Sequence, residues 1–277
     1  MDSEHMIKKL IETSVVYDLG RPMFTGMPQS PNHPQFRMIL ERRHGDKHRP
    51  GGTSAANELI ITGGHVGTHV DALSHFSHQM TLHGGIDALE AQASGRFSVL
   101  GIDKVAPMVC RGVLIDVAAA SGRSMCKPGY EISRGDLEKA VVLRKIDIQP
   151  GDAVILRTGW GQFWDDPEQY IGWKNGVPGP GVEAVNWLVS QKPSVVGSDT
   201  IAFEFIPPGQ GHSDLSGHKI LLVDHGIHII ESMSLEDIAS AGVTEFLFIM
   251  SPLKIVGATG SPVRPLALVI TEPCGGR

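Results

Sequence analysis

The sequence predicts an α/β protein folded as a single domain over residues 1–277. Three observations carry this prediction. Short β-rich runs outnumber helical patterns, the two alternate only irregularly, and no repeat, linker or low-complexity tract divides the chain. Val15–Leu19 and Phe36–Leu40 are the first strand-like runs, and Glu58–Ile61 is the next, ending at the turn signal Gly63-Gly64. Between the second and third, Arg43–Thr53 is polar and turn-rich and reads as a long surface loop. Gly112–Val117 is again a strand. Ser133-Arg-Gly-Asp136 has the form of a capping box with Asp in place of Glu, and Leu137, Ala140, Val141 and Arg144 follow at helical spacing. Pro150-Gly151-Asp152 marks a turn directly before the strand Ala153–Arg157. Pro167–Gly181 reads as a second long loop. Val182–Gln191 follows as a helix with Val185, Leu188 and Val189 inward, and Ser194–Val196 as a short strand. Ser234-Leu-Glu-Asp237 repeats the capping device with Gly242 as the stop, and Leu266–Ile270 is the last strand.

Composition narrows the function. With 41% hydrophobic and 19% charged residues the usage is that of a globular protein. A net charge of −6, a pI of about 6.1 and no long Lys/Arg cluster argue against nucleic acid or an anionic membrane surface as partner. The longest apolar runs, Ile220–Val223 and Phe246–Met250, fall far short of the roughly 18 residues a membrane span needs. Met1–Asp18 has no basic region followed by an apolar one, so no secretory signal is expected. Cys110, Cys126 and Cys274 are widely spaced without a C-x-x-C. They support neither a disulfide framework nor a thiolate zinc site, and a cytoplasmic location with a buried Cys110 is the expectation. Gly63-Gly64 and Gly257–Gly260 lack the G-x-G-x-x-G order and no Walker A segment exists, so nucleotide binding is not indicated.

The 13 histidines are the unusual number. Several fall in Gly63-Gly64-His65-Val66-Gly67-Thr68-His69-Val70-Asp71-Ala72-Leu73-Ser74-His75-Phe76. Imidazole nitrogen and carboxylate oxygen are donors for Zn and Mn. A regular helix would put His65 and His69 on one face and turn Asp71 away. The expected geometry is instead a strand end at Leu59–Thr62, a turn at Gly63-Gly64, and a wrap that brings His65, His69 and Asp71 to one point. Gly67 would let the backbone pass close, and Thr68 would either bond within the turn or orient the carboxylate. Three N/O donors without thiolate leave a coordination position open, as catalytic sites do. His75 is a further ligand or a proton shuttle, while His78 and His83 are expected at the surface or behind the ligands. Ser198-Asp199 reads as a turn, not a nucleophile.

The pattern H-x-G-T-H-x-D-x-x-x-H, which runs from His65 to His75, resembles the metal-dependent cyclase family of hydrolases, whose members include bacterial kynurenine formamidase and isatin hydrolase. Tyr17-Asp-Leu-Gly20, Gly26-Met-Pro28, Pro150–Trp160, Gly197-Ser-Asp-Thr200, His218-Lys-Ile-Leu-Leu222 with Glu231, and Gly257–Arg264 extend the resemblance over nearly the whole chain. Leu73 stands where many members carry Pro, and the His218–Glu231 spacer is slightly longer. Both features align the chain with the isatin-hydrolase-like branch. The resemblance implies a swivelling β/β/α fold, a mixed sheet with flanking helices, in dimers or tetramers. It implies His65, His69 and Asp71 as metal ligands and His75 as the catalytic acid/base. It also implies that His218 and Glu231 complete the metal site or bind a second ion. On the residues alone, His218 is equally readable as a buried residue beside an apolar segment, and a buried Glu231 would need a partner.

The resulting expectation is an enzyme that uses Mn²⁺ or Zn²⁺ to hydrolyse an amide C–N bond in a small aryl or cyclic amide, such as an isatin-type lactam or an N-formyl aniline. Substrate contacts are expected from Phe76, Phe24, Trp160 and Phe203, with Phe163, Trp164 and Trp173 as further aromatics; the Trp residues are equally suited to a core. Three other readings fit the same donors: dehydration or ring closure, a non-haem Fe(II) oxygenase, and metal binding without turnover.

Overall fold

The computed structural model describes residue 8 and residues 10–270; Cys274 and the segment Met1–Ile7 of the expected signal-free start lie outside the described residues. The strands are β1 Ser14–Asp18, β2 Arg37–Arg42, β3 Asn57–Ile61, β4 His69–Asp71, β5 Thr81–Leu82, β6 Ile86–Asp87, β7 Met108–Asp116, β8 Glu131–Ile132, β9 Ala153–Arg157, β10 Gly179–Pro180, β11 Val195–Ser198, β12 His228–Glu231, β13 Glu245–Met250, β14 Gly260–Pro262 and β15 Leu266–Ile270. Nine of them form one mixed sheet in the order β1-β15-β13-β7-β9-β11-β12-β4-β14. Its centre, β7-β9-β11-β12, is parallel, and antiparallel pairs flank it on both sides.

Parallel neighbours need crossovers. The helix Arg134–Arg144 joins β7 to β9 and the helix Val182–Ser190 joins β9 to β11. The β9 segment Ala-Val-Ile-Leu-Arg is buried at every position, as a strand covered on both faces must be. Its alternate side chains feed two cores. Val154 and Leu156 pack with Leu137, Ala140, Val185 and Leu188 of the helices, while Ala153 and Ile155 pack with Val70, Ile230, Phe246 and Phe248 on the opposite face. Each fully buried Leu, Ile or Val of this kind contributes roughly 1.5–3 kcal/mol.

The expected elements recur within a residue or two, except that β7 starts four residues before the expected Gly112, and the capping box at Ser133 is present, with its hydroxyl bound by Asp136 N–H and the Asp136 carboxylate by Ser133 N–H. Several expectations are corrected. The device at Ser234 does not form: the helix is Glu236–Ser240, entered from Leu235 without a side-chain cap, and Gly242 (φ 70°) follows its end. The loop Pro167–Gly181 contains a helix, Pro167–Ile171, capped by the Asp166 carboxylate with Pro at its start. Strands β4, β12, β13 and β14 of the main sheet, and the two-residue strands β5, β6, β8 and β10, are not among those the sequence predicts. β4 and β14 have three residues each, too few for a period of two to register. The unbroken run Phe-Leu-Phe-Ile-Met of β13 has no alternation in sequence, yet it is a strand.

β2 and β3 form a separate hairpin whose residues are exposed on both faces, Met38, Ile39, Leu40, Leu59, Ile60 and Ile61 among them. Among the described residues no helix is long and apolar enough to cross a membrane.

Candidate metal centre

The site lies on β4 and β12 and at the carboxyl end of β11, where open α/β sheets place ligands. His69 and Asp71 are two residues apart on a strand, so their side chains share a face. The antiparallel register sets Glu231 of β12 directly opposite His69, on the same face. On the other side β14 pairs with β4, Gly260 opposite Asp71. A side chain at Gly260 would stand 2.4 Å from the His65 ring, so only glycine leaves room for that imidazole. Before β4 the chain bends through residues 64–68, with Gly67 at φ 68°. That wrap brings His65 to Asp71, as the sequence reading expected.

The hydrogen bonds sort the imidazoles. His69 Nδ1 donates to the Gly67 carbonyl at 2.8 Å, which leaves Nε2 3.7 Å from Asp71 Oδ1 and 3.4 Å from Glu231 Oε2. His218 Nδ1 donates to Glu204 Oε1 at 2.7 Å, which leaves Nε2 3.6 Å from Asp71 Oδ2 and 3.3 Å from Glu231 Oε1. His65 has both nitrogens engaged, Nδ1 with Asp71 Oδ1 at 2.7 Å and Nε2 with the Thr259 hydroxyl at 2.9 Å. His75 stacks on His65 with ring centroids 3.8 Å apart and lies 6.1 Å from the His218 ring. Donor atoms of His65, His69 and Asp71 lie within 4.8 Å of one another, and so do those of Asp71, His75 and His218.

The electrostatics follow from two carboxylates taken out of water. Burial alone would raise the Asp71 carboxyl, but His75, His65 and His69 around it hold it well below the usual range. Glu231 is likewise lowered, its burial outweighed by His218 and His69. The reciprocal effect raises His69 and His218, whose burial is outweighed by Glu231 together with Asp71 for the first and Glu204 for the second. His75 goes the other way: burial pushes it down to about 3, so it is neutral at ordinary pH. His33, stacked on His65 with ring centroids 5.3 Å apart, is lowered to about 4 by burial and by His65 and His69.

Asp71 Oδ2 and Glu231 Oε1 are buried and have no hydrogen-bond partner. An unpaired buried carboxylate oxygen costs several kcal/mol. Both of these oxygens face the open Nε2 of His218, the other oxygen of each carboxylate faces the open Nε2 of His69, and together these atoms form a donor set of nitrogen and oxygen that fits a divalent cation. The residues present therefore pass the test for a metal site on their own geometry.

His65, His69, His75, His218 and Glu231 line a cavity of about 180 Å³, with Asp71 fully buried against them. Its wall is more polar than the sequence reading expected: Gln29, Ser30, Asn32, His33 and His212 line it, with Phe76, Ile201, Ala202 and Leu215 as apolar contacts. Of the four expected substrate contacts only Phe76 lines the cavity. Trp160 is fully buried in a core with its indole N–H on the Tyr170 carbonyl. Phe203 is fully buried against the helices, and Phe24 lies on a separate surface groove. Trp164 is also core, and Trp173 is exposed. Both Trp160 and Phe203 are consumed by packing because large apolar side chains gain most where water is absent. Thr68 does not orient the carboxylate; its hydroxyl donates to the Ser232 carbonyl and accepts from Arg21 N–H, tying the wrap to the end of β12. Ser198 bonds Thr200 in a buried turn, while the Asp199 carboxylate takes Thr158 and Gly159 N–H groups. His83 is half-buried and lines no part of the cavity, its Nδ1 on the Val223 carbonyl.

Sequence reasoning missed Glu204, Thr259, His33 and His212. The high histidine count pointed toward the last two, but their segments, Pro31-Asn-His-Pro34 and Gly211-His-Ser213, are polar turns without a motif. Nothing in Ala202-Phe-Glu-Phe205 signals a site.

Comparison with known proteins agrees with this geometry. Isatin hydrolase of Roseibium aggregatum is 28% identical over 214 residues, covering 76% of this chain and 73% of the relative. Kynurenine formamidase of Sphingopyxis alaskensis is 24% identical over 253 residues, covering 91% and 97%. A crystal structure described as a novel cyclase superposes with a TM-score of 0.83 at 29% identity, covering 96% of this chain and 93% of that one. The family model described as "Putative cyclase" matches residues 17–205, which include the whole His65–His75 segment. With its sheet, its wrap and most of its length matched, the chain belongs to the cyclase family.

Proposed function

We propose that this protein is a hydrolase that cleaves the amide C–N bond of a small cyclic or aryl amide, and that residues 1–277 act as one catalytic domain. The observation that carries the proposal is the pair of buried, unpartnered oxygens, Asp71 Oδ2 and Glu231 Oε1, beside a cavity that Glu231 and a neutral His75 line. His65, His69 and Asp71 would hold a divalent ion, Mn²⁺ or Zn²⁺, with His218 and Glu231 completing the site or holding a second ion. When bound, such an ion polarises a carbonyl and lowers the pKa of water from 15.7 to about 7.

The chain's own residues supply the rest. His75 is neutral and faces the same cavity, so it can accept a proton from water and pass it to the departing nitrogen. General acid–base catalysis of this kind is worth about 10²–10⁴-fold. Asp71 and Glu231 stay ionised, because the imidazoles around them lower both. Phe76 offers the ring contact for the substrate, 5.7 Å from the His218 ring. The cavity of about 180 Å³ is close to the ~150 Å³ that accommodates one benzene. That size favours an isatin-type lactam over a substrate bearing a long side chain. Names of the two relatives, isatin hydrolase and kynurenine formamidase, support the reaction class.

The partner would be a small molecule, and a second copy of the chain. The β2–β3 hairpin supports self-association into a dimer or tetramer, since an isolated two-stranded ribbon with both faces apolar is marginal in water. The free thiols Cys110 and Cys126 suit a reducing cytoplasm. The test is elemental analysis combined with a panel of isatin-type lactams, N-acyl anilines and cyclic imides. Hydrolysis adds the mass of one water to a substrate. An unchanged or lighter product would replace hydrolysis by ring closure or dehydration, and strict dependence on O₂ would replace it by oxygenation.

A further inference from the structure

Glu204 lines no part of the cavity, yet it is 5% exposed and its carboxylate accepts three N–H groups. Oε2 takes Gly217 N–H at 2.6 Å; Oε1 takes His218 N–H at 2.7 Å and His218 Nδ1 at 2.7 Å. A carboxylate bound by two backbone donors is acceptor-only, so Nδ1 of His218 must carry the proton. We propose that Glu204 is a positioning residue that locks the His218 ring, with Nδ1–H held by Glu204 and Nε2 aimed at the Asp71–Glu231 pair.

The lock is needed because the floor of the site favours the wrong tautomer. Asp71 Oδ2 and Glu231 Oε1 are unpartnered acceptors 3.6 and 3.3 Å from His218 Nε2, and they would draw a proton onto that nitrogen. A proton there would block the lone pair a cation needs. The surrounding chain is shaped around Glu204. A side chain at Gly217 would stand 2.8 Å from Glu204 Oε1, and one at Gly179 would stand 2.3 Å from the Glu204 backbone. The preceding Phe203 adopts φ 55°, a left-handed conformation held by its fully buried ring. Phe203 thus serves the site through the core, by delivering Glu204, and not by touching substrate.

This inference rests on the ion-binding reading above for its affinity arm, and the test separates the two. The affinity of the metal-free protein for Mn²⁺ and Zn²⁺ is measured by chelator competition in wild type, Glu204→Gln, His218→Ala and the double variant. Partners of ligating histidines change metal affinity about 10–100-fold. Glu204→Gln is expected to weaken binding by about that factor in the wild-type background and by less than about twofold in the His218→Ala background. An equal loss in both backgrounds, or no loss, overturns the proposal. If wild type binds neither ion, the ion-binding reading fails, and nitrogen-15 NMR of the histidines in the metal-free protein decides the inference alone. A hydrogen-bonded His218 Nδ1–H present in wild type and lost in Glu204→Ala supports it. A Nδ1–H that is absent from wild type, or unchanged in Glu204→Ala, overturns it.

Discussion

Replacing Asp71 by Asn changes one buried atom and tests most of the account. Asp71 is fully buried; Oδ1 is spent on His65 Nδ1, and Oδ2 has no partner. In Asp71→Asn the amide oxygen can keep one of these positions, but the charge is gone. Four-ligand structural zinc sites bind with roughly 10–16 kcal/mol, or about 2.5–4 kcal/mol per ligand. At about 1.4 kcal/mol per tenfold, loss of this ligand weakens binding roughly 10²–10³-fold. The assay is thermal unfolding with and without ion. At an ion concentration about 1,000-fold above the wild-type Kd, wild type gains about 4 kcal/mol, and the variant at the same concentration gains roughly 0.4–1.4 kcal/mol. For a chain of this size that is a rise in Tm of roughly 8–16 °C against one of about 1–6 °C. Without ion the variant is also less stable than wild type, because the imidazoles that hold the Asp71 carboxyl low lose the charge they pair with. A variant that keeps full ion stoichiometry and the wild-type shift would remove Asp71 from the ligand set.

Other outcomes follow from the same geometry. His75→Ala keeps its ion in elemental analysis and loses about 10²–10⁴-fold in kcat; retained turnover would exclude His75 as the proton carrier. The metal-free protein is most stable at about pH 6.5, the ordinary imidazole pKa. Below that, His75 and His33, held down to about 3 and about 4, bind protons only in the unfolded chain, so stability falls as pH drops. Above it, His69 and His218, held up by their carboxylate neighbours, lose their extra protons and their contribution fades. Bound ion reverses the upper limb, since it requires deprotonated imidazoles, and Tm measured from about pH 5 to 9 with and without ion checks both limbs. Ile60→Asp in the exposed hairpin, at a residue remote from the cavity, shifts the protein to a smaller species in light scattering; an unchanged mass would place the interface elsewhere.

The site was more legible in the sequence than the sheet that carries it. His65, His69 and Asp71 lie within seven residues, so the glycine-punctuated wrap could be inferred from local chemistry alone. The strand nature of His69–Asp71 could not, because it depends on β12 and β14, which pair with it from far along the chain. Glu231 was suggested by resemblance, and register explains it by setting it opposite His69. Aromatic residues misled where burial and binding draw on the same property. Trp160 and Phe203 are as apolar as Phe76, and only tertiary packing separates core from cavity. Glu204 carries no local signal, since its role exists only when residue 218 folds back beside it.

The central claim, that buried carboxylates and open imidazole nitrogens hold a cation, is tested most directly by anomalous diffraction from crystals grown with Mn²⁺. The account predicts a peak bounded by His69 Nε2, His218 Nε2 and the carboxylates of Asp71 and Glu231. A map without a peak there at saturating Mn²⁺ would contradict it.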